Sequence, residues 1–342
     1  MTIENREVGL GNPMYIIVEI AQAHDGSLGF AHAFIDAVAR TGADAIKFQT
    51  HIAQYESSHE DQWRIPFSYE DATRYDYWRR MEFSSEQWCG LKKHAEERGL
   101  TFLSSPFSVE AAMLLDKLDV LAWKIASGEV TNDFLMDYLI TTKKPFIVSN
   151  GLSTEAEMAS LFDKLKKNGC PYALMHCVTE YPAQAQHIDL SVIPSLKARY
   201  DCPVGFSDHS SSIYTGLALA AIHGDLLEIH ATMSKDMFGP DVCASLTIEE
   251  IRQMTEGIRY IEKLVAPKDQ PSQCFTQNRL LFLKSLAYRR NMKKGDVIKY
   301  EDLMLLKPGT GIQASQKERI IGKAILCDVA EGSFVDISHI SG

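Results

Sequence analysis

The sequence predicts an α/β protein, a (β/α)8 barrel followed by a small β-rich domain. Eight short apolar runs alternate with longer stretches of helical period, the order of βα units that build a parallel sheet. Polar and charged residues gather at the C-terminal ends of those runs, where the mouth of a closed barrel brings strand ends together. The 342 residues also exceed the roughly 250 of one barrel, and the text changes character after residue 264.

The strand candidates are 15–21, 45–49, 101–104, 122–125, 146–149, 173–176, 204–207 and 226–230. Between the first two, Leu28, Ala31, Ile35 and Val38 recur at helical spacing, and Gly42 follows as a stop. Ser84 with Gln87, Thr154 with Glu157, and Thr247 with Glu250 have capping-box spacing and predict helix starts. Residues 51–83 form a long insertion after the second strand, rich in aromatics and charge (Trp63, Phe67, Tyr69, Tyr75, Tyr77, Trp78, Arg79, Arg80). Such a segment is either a lid over a site or an arm for a partner. The stretch 265–278, containing APKDQPSQ, reads as a linker between a barrel domain, 1–264, and a second domain, 279–342. The second domain is small enough to be marginal on its own core and is expected to dock on something.

Composition narrows the function classes. With 45% hydrophobic and 23% charged residues the chain is an ordinary globular one. Lys and Arg total 35 against 45 Asp and Glu, and a net charge of −10 argues against a broad nucleic-acid footprint. The N-terminal text lacks a basic region before an apolar run, and no run approaches a membrane span, so a cytoplasmic protein is expected. Cys89, Cys170, Cys177, Cys202, Cys243, Cys274 and Cys327 are odd in number, scattered and without a CxxC pair, which predicts reduced thiols.

The strand ends hold the candidate chemistry. Glu19 and His24 follow the first strand, Lys47 and Gln49 end the second, and Ser104 and Ser105 end the third. Lys124, Ser127 and Glu129 follow the fourth, Ser149 the fifth, and His176, Thr179, Glu180 and Tyr181 the sixth. Ser207, Asp208 and His209 end the seventh, and Glu228 and His230 the eighth. Lys47 and Lys124 lie within apolar strands, where a buried ammonium is costly without an anion. Two lysines among serines suit a phosphate and a carboxylate, each charge-assisted bond contributing about 1.5–3 kcal/mol. His209 and His230 end adjacent strands, so the two imidazoles either share a divalent cation or serve as structural hydrogen-bonded histidines.

In order along the chain, VEIAQAHDGS, GADAIKFQT, FLSSPFS, WKIASGE, CVTEYP, VGFSDHS, EIHAT and GPDVCASL resemble the sialic acid synthase family, and KPGTGI resembles its appended antifreeze-like (SAF) domain. The resemblance implies condensation of phosphoenolpyruvate with an open-chain N-acyl amino-sugar aldehyde, giving a 2-keto-3-deoxy sugar acid and phosphate. It implies that Lys47, Ser105, Lys124, Ser127, Ser149 and Ser207 bind phosphoenolpyruvate. His209 and His230 fall on the positions of divalent-metal ligands, usually Mn²⁺, with Mg²⁺, Co²⁺ or Zn²⁺ as alternatives. Glu19, Gln49, Glu129, Tyr181 and Asp241 match further active-site positions, with Glu129 a candidate for stabilising the cationic C2 and Asp241 for handling a proton. Family members form homodimers in which the SAF domain of one chain covers the barrel mouth of the other. Four departures fall on the sugar side: Ala23 and Asp25 in place of the two Asn of NHNG, Val242 in place of the His of GPDH, and Lys307 where Arg often precedes PGTGI. A lysine cannot reproduce a planar bidentate fork, so the acceptor stays open among N-acetylmannosamine, a diacetamido sugar of the legionaminic or pseudaminic type, and a non-acylated sugar.

Overall fold

The computed structural model describes residues 1–267 and 273–342. They divide into two compact units at Ala266 and Pro267. The first contains eight parallel strands: β1 (Tyr15–Ala21), β2 (Ala45–Thr50), β3 (Thr101–Pro106), β4 (Trp123–Ile125), β5 (Phe146–Ser149), β6 (Tyr172–Cys177), β7 (Val204–Asp208) and β8 (Leu226–Thr232). The hydrogen-bonded ladder runs from β4 through β8 to β1 and on to β3. β3 and β4 pack side by side without a ladder, so the barrel is nearly closed. All eight expected strands are present.

Strand parity sorts the side chains. Tyr15, Ile17, Ala45, Leu103, Ala122, Ile147, Ala173, Met175 and Leu226 form one cluster, the filling of the barrel. Ile3, in a short hairpin (Thr2–Ile3 with Arg6–Glu7), and Val8, just after it, join it and cap the bottom. The alternate residues, such as Ile16, Val18, Ile46, Phe102, Trp123 and Val148, pack outward against the helices. Continuing the inward parity towards the C-terminal ends gives Glu19, Lys47, Gln49, Ser105, Lys124, Ser149, Ser207, His209, Glu228 and His230 in turn. The polar layer therefore stands on an apolar plug.

The helix starts behave as their spacing predicts. Ser84, Thr154 and Thr247 each cap a helix (Ser85–Glu97, Glu155–Lys167 and Ile248–Val265) with a reciprocal capping box. In the second unit, Ser285–Tyr288 and Leu303–Leu306 pair antiparallel over a small core that includes Leu286, Tyr288, Ile298, Ile325 and Val335. Where the sequence reads as linker to residue 278, a helix already runs from Gln273 to Phe282, because TQNRLLFL has helical composition once the two prolines have passed. Linker residues 268–272 lie outside the described residues.

Candidate active site

Four charged side chains form the floor of the barrel mouth. The Lys47 ammonium contacts the Glu19 carboxylate and lies 3.7 Å from Glu228 Oε1, while Lys124 Nζ lies 3.2 Å from the same oxygen. Lys124 also donates to Ser149 Oγ at 2.9 Å, Lys47 to Ser105 Oγ at 3.4 Å, and Ser207 Oγ to Glu228 Oε1 at 3.2 Å. All are almost fully buried. Burial pulls Lys47 down to about 7, opposed by Glu228 and reinforced by Lys124. Burial would raise the Glu228 carboxyl, but Lys124 and Lys47 outweigh it and hold it below the usual carboxylate range. Glu228 Oε2 has no hydrogen-bond partner among the described residues. The strands thus gather the predicted cationic pocket and, with it, two carboxylates that balance it.

Glu19 also shapes the backbone. Its Oε1 accepts from Ala21 N–H at 2.6 Å, and Ala21 adopts φ +47° beside a register shift between Glu19 and Ala21. A bulge of this kind re-aims the chain, and here it sends Gln22 into the mouth.

Above the floor, His209 and His230 face one another with ring centroids 5.2 Å apart. His209 Nδ1–H donates to the Val178 carbonyl at 2.9 Å, which leaves its Nε2 with a free lone pair. Burial pushes His209 down to about 4 and His230 to about 3, so both are neutral at pH 7, as ligation requires. Asp241 Oδ2 is 4.0 Å from His230 Nδ1. Among the described residues, no three His, Cys, Asp or Glu side chains are gathered closely enough to hold an ion. Two imidazoles alone would leave positions open on a bound cation, an arrangement suited to a catalytic ion rather than a structural one.

The 51–83 insertion settles over this mouth in its own chain. Its Trp63, Arg64, Phe67, Arg74, Tyr77 and Trp78 line a cavity of about 430 Å³ that Gln22, Gln49, His51, Glu129, Tyr181, His230 and Asp241 also line. Arg64 donates to Asp241 Oδ1 at 2.6 Å and stacks over the Tyr181 ring at 4.3 Å. Tyr181 in turn stacks on His209 at 4.2 Å. Burial raises Asp241, partly opposed by Arg64. The insertion is anchored by Arg80, which pairs with Asp71 and Asp25. Gly26, at φ +73°, lets the chain pass close to the Arg80 carbonyl, where a Cβ would collide.

Glu129 sits on a 3-10 turn (Ser127–Glu129), accepts from Asn132 Nδ2 at 2.8 Å, and is raised by burial. Ser127, half-buried on the same turn, makes no side-chain hydrogen bond among the described residues. Lys307 lies in the second unit with its ammonium over the Phe282 ring at 5.3 Å. Sequence reading missed Gln22, His51, Glu56 and Arg64. Gln22 stands next to the Ala23 departure, and that neighbouring amide was the one signal available. The others are set by tertiary contacts.

The NeuB family matches residues 34–270, and a SAF domain matches residues 284–341. The chain belongs to the NeuB family. It is 31% identical over 339 residues to the N,N'-diacetyllegionaminic acid synthase of Legionella pneumophila, covering 95% of this chain and 94% of that one. It is 28% identical over 324 residues to a pseudaminic acid synthase of Campylobacter jejuni, covering 93% and 94%. The N-acetylneuraminic acid synthetase structure from Leptospira borgpetersenii superposes with a TM-score of 0.71 at 27% identity, over 81% of this chain and 94% of that one. The two matches fall on the two units observed. Among the described residues no helix is long and apolar enough to cross a membrane.

Proposed function

We propose that this chain condenses phosphoenolpyruvate with the aldehyde of an open-chain N-acyl amino sugar, forming a nine-carbon 2-keto-3-deoxy acid and releasing phosphate. The observation that carries the reading is the buried Lys47–Lys124 pair beneath a cavity lined by carboxylates, amides and aromatic rings. Two ammonium groups in a serine-lined pocket suit an anion with both phosphate and carboxylate. In the structure Glu19 and Glu228 pair with these lysines. On binding, the lysines exchange a protein carboxylate for the ligand, and Ser105, Ser149 and Ser207 supply neutral donors.

The cavity above is the acceptor's place. His209 and His230 would hold Mn²⁺ or a similar ion, which supplies Lewis-acid polarisation of a carbonyl when bound. Tyr181, clamped between Arg64 and His209, forms an aromatic wall there. C3 of phosphoenolpyruvate attacks the aldehyde carbon, forming the C–C bond. Glu129, on the cavity wall, stabilises the positive charge left at C2, and water then adds at C2 before phosphate leaves by C–O cleavage. Asp241 takes or returns a proton at the sugar oxygen. The roof formed by residues 51–83 excludes bulk water and holds both substrates in register.

An acceptor screen with purified protein, phosphoenolpyruvate and Mn²⁺ tests this. Phosphate release with a product mass equal to acceptor plus pyruvate unit is expected for at least one N-acyl amino sugar. Release without a condensed product, or none with any acceptor, overturns the reading.

A further inference from the structure

We infer that His51 is a positioning residue that locks the amides of Gln22 and Gln49 into one donor–acceptor order facing the acceptor sugar. This rests on reading the cavity as the acceptor's place.

Both faces of the His51 ring are covered. Trp78 of the roof stacks on one at 4.1 Å and 21°, and Phe107 on the other at 4.5 Å and 16°. Only the ring edge is left to interact. Nδ1 lies 2.6 Å from Glu56 Oε1, and an ionised carboxylate can only accept, so Nδ1 carries the hydrogen. Nε2 then presents a lone pair and accepts from Gln22 Nε2 at 2.8 Å. The other N–H of that amide goes to Gln49 Oε1 at 2.6 Å. His51 Nε2 also lies 3.1 Å from Gln49 Oε1, a contact that is a hydrogen bond only when Nε2 carries a hydrogen, so with Nε2 unprotonated the Gln22 NH₂ is what bridges the two acceptors.

This leaves Gln22 Oε1 and the Gln49 NH₂ without hydrogen-bond partners among the described residues, and both residues line the cavity. The acceptor meets one carbonyl oxygen and one NH₂, a pair that matches hydroxyl or acylamino groups on a sugar. With the opposite tautomer, Nε2–H would demand an acceptor from Gln22 and reverse the polarity shown to the ligand. The Glu56 contact at Nδ1 opposes that tautomer. A ring serving only to fill the gap between Trp78 and Phe107 would need neither edge contact. A site built to hydrogen-bond its substrate discriminates steeply when one member is misdirected.

His51→Phe keeps both stacks and removes both edge contacts. With Mn²⁺, phosphoenolpyruvate and whichever of N-acetylmannosamine or a diacetamido sugar the wild type consumes, the acceptor KM should rise about tenfold, equal to about 1.4 kcal/mol. The KM for phosphoenolpyruvate should stay within about twofold. Gln22→Met should show a similar loss, and the double variant should be no worse than His51→Phe alone, because both remove one relay. Glu56→Gln, which lets the ring invert, should shift KM the same way and serves if His51→Phe folds poorly. Independently of turnover, the side-chain NH₂ resonances of Gln22 and Gln49 should shift in both His51→Phe and Glu56→Gln. Unmoved resonances, an unchanged acceptor KM, or losses that multiply in the double variant overturn the role of His51. A wild type that consumes no amino sugar overturns the functional reading instead, and the resonances still judge His51.

Discussion

Replacing Lys124 with Met separates the stability of the barrel floor from its chemistry. The floor has two ammonium groups and two carboxylates, all buried, so its charge is balanced. Methionine keeps the length of the lysine stem but removes the bonds to Ser149 at 2.9 Å and Glu228 at 3.2 Å. Glu228 Oε1 retains Ser207 at 3.2 Å and Lys47 at 3.7 Å, and Oε2 has no hydrogen-bond partner among the described residues. Stripping one partner from a buried ion pair costs about 3–5 kcal/mol. At about 2–4 °C per kcal/mol for a domain of this size, the melting temperature should fall by about 6–20 °C. Lys124→Met/Glu228→Leu removes both charges and should recover most of that loss, since a buried pair replaced by apolar groups of similar volume is often neutral. Neither variant should release phosphate from phosphoenolpyruvate at a measurable rate. Differential scanning calorimetry alongside a phosphate assay reads both quantities. A single variant that melts with the wild type, or a double variant that melts below the single, would refute the charge-balance argument.

Three further outcomes follow from the same geometry. His24, buried between Phe48 and Phe83 with Nδ1 accepting from Gly26 N–H at 3.1 Å, is held down to about 3 by burial and by His51 and Arg80. The unfolded chain binds this proton below about pH 6.5 while the native state does not, so stability falls as pH drops from there towards 3, by about 1.4 kcal/mol per unit. His24→Phe should flatten the urea-derived stability curve between about pH 6 and 4 by that slope, and an unchanged slope counts against it. Arg64→Ala breaks the link from the roof to Asp241 and Tyr181, but the side chain is 41% exposed, so stability should change by less than about 1 kcal/mol. Limited trypsinolysis within 51–83 should nonetheless accelerate several-fold, and equal cleavage rates would show that Arg64 is not a latch. Isothermal titration should find one Mn²⁺ site in the wild type that His230→Ala loses, and retained affinity in the variant would remove His230 from the ligand set.

The sequence by itself determined the barrel, its two-unit plan and most of the floor. Strand periodicity, capping boxes and polar strand ends are local signals, and inward parity turns them directly into a shared layer. Lys47, Lys124, Ser149, Ser207 and His230 were legible because each sits at a fixed place on a strand, and His209 because it directly follows one. Tertiary structure alone decided what those residues touch. It paired the lysines with Glu19 and Glu228, folded the 51–83 insertion over its own barrel mouth, and brought Arg64 onto Asp241 across 177 positions of chain. It also clamped His51 between Trp78 and Phe107. A strand's periodicity reports which face a side chain takes, whereas loop side chains acquire partners only when distant segments pack. The cavity lining consists largely of such loop residues, and the contacts among Gln22, Gln49 and His51 exist only in the assembled mouth.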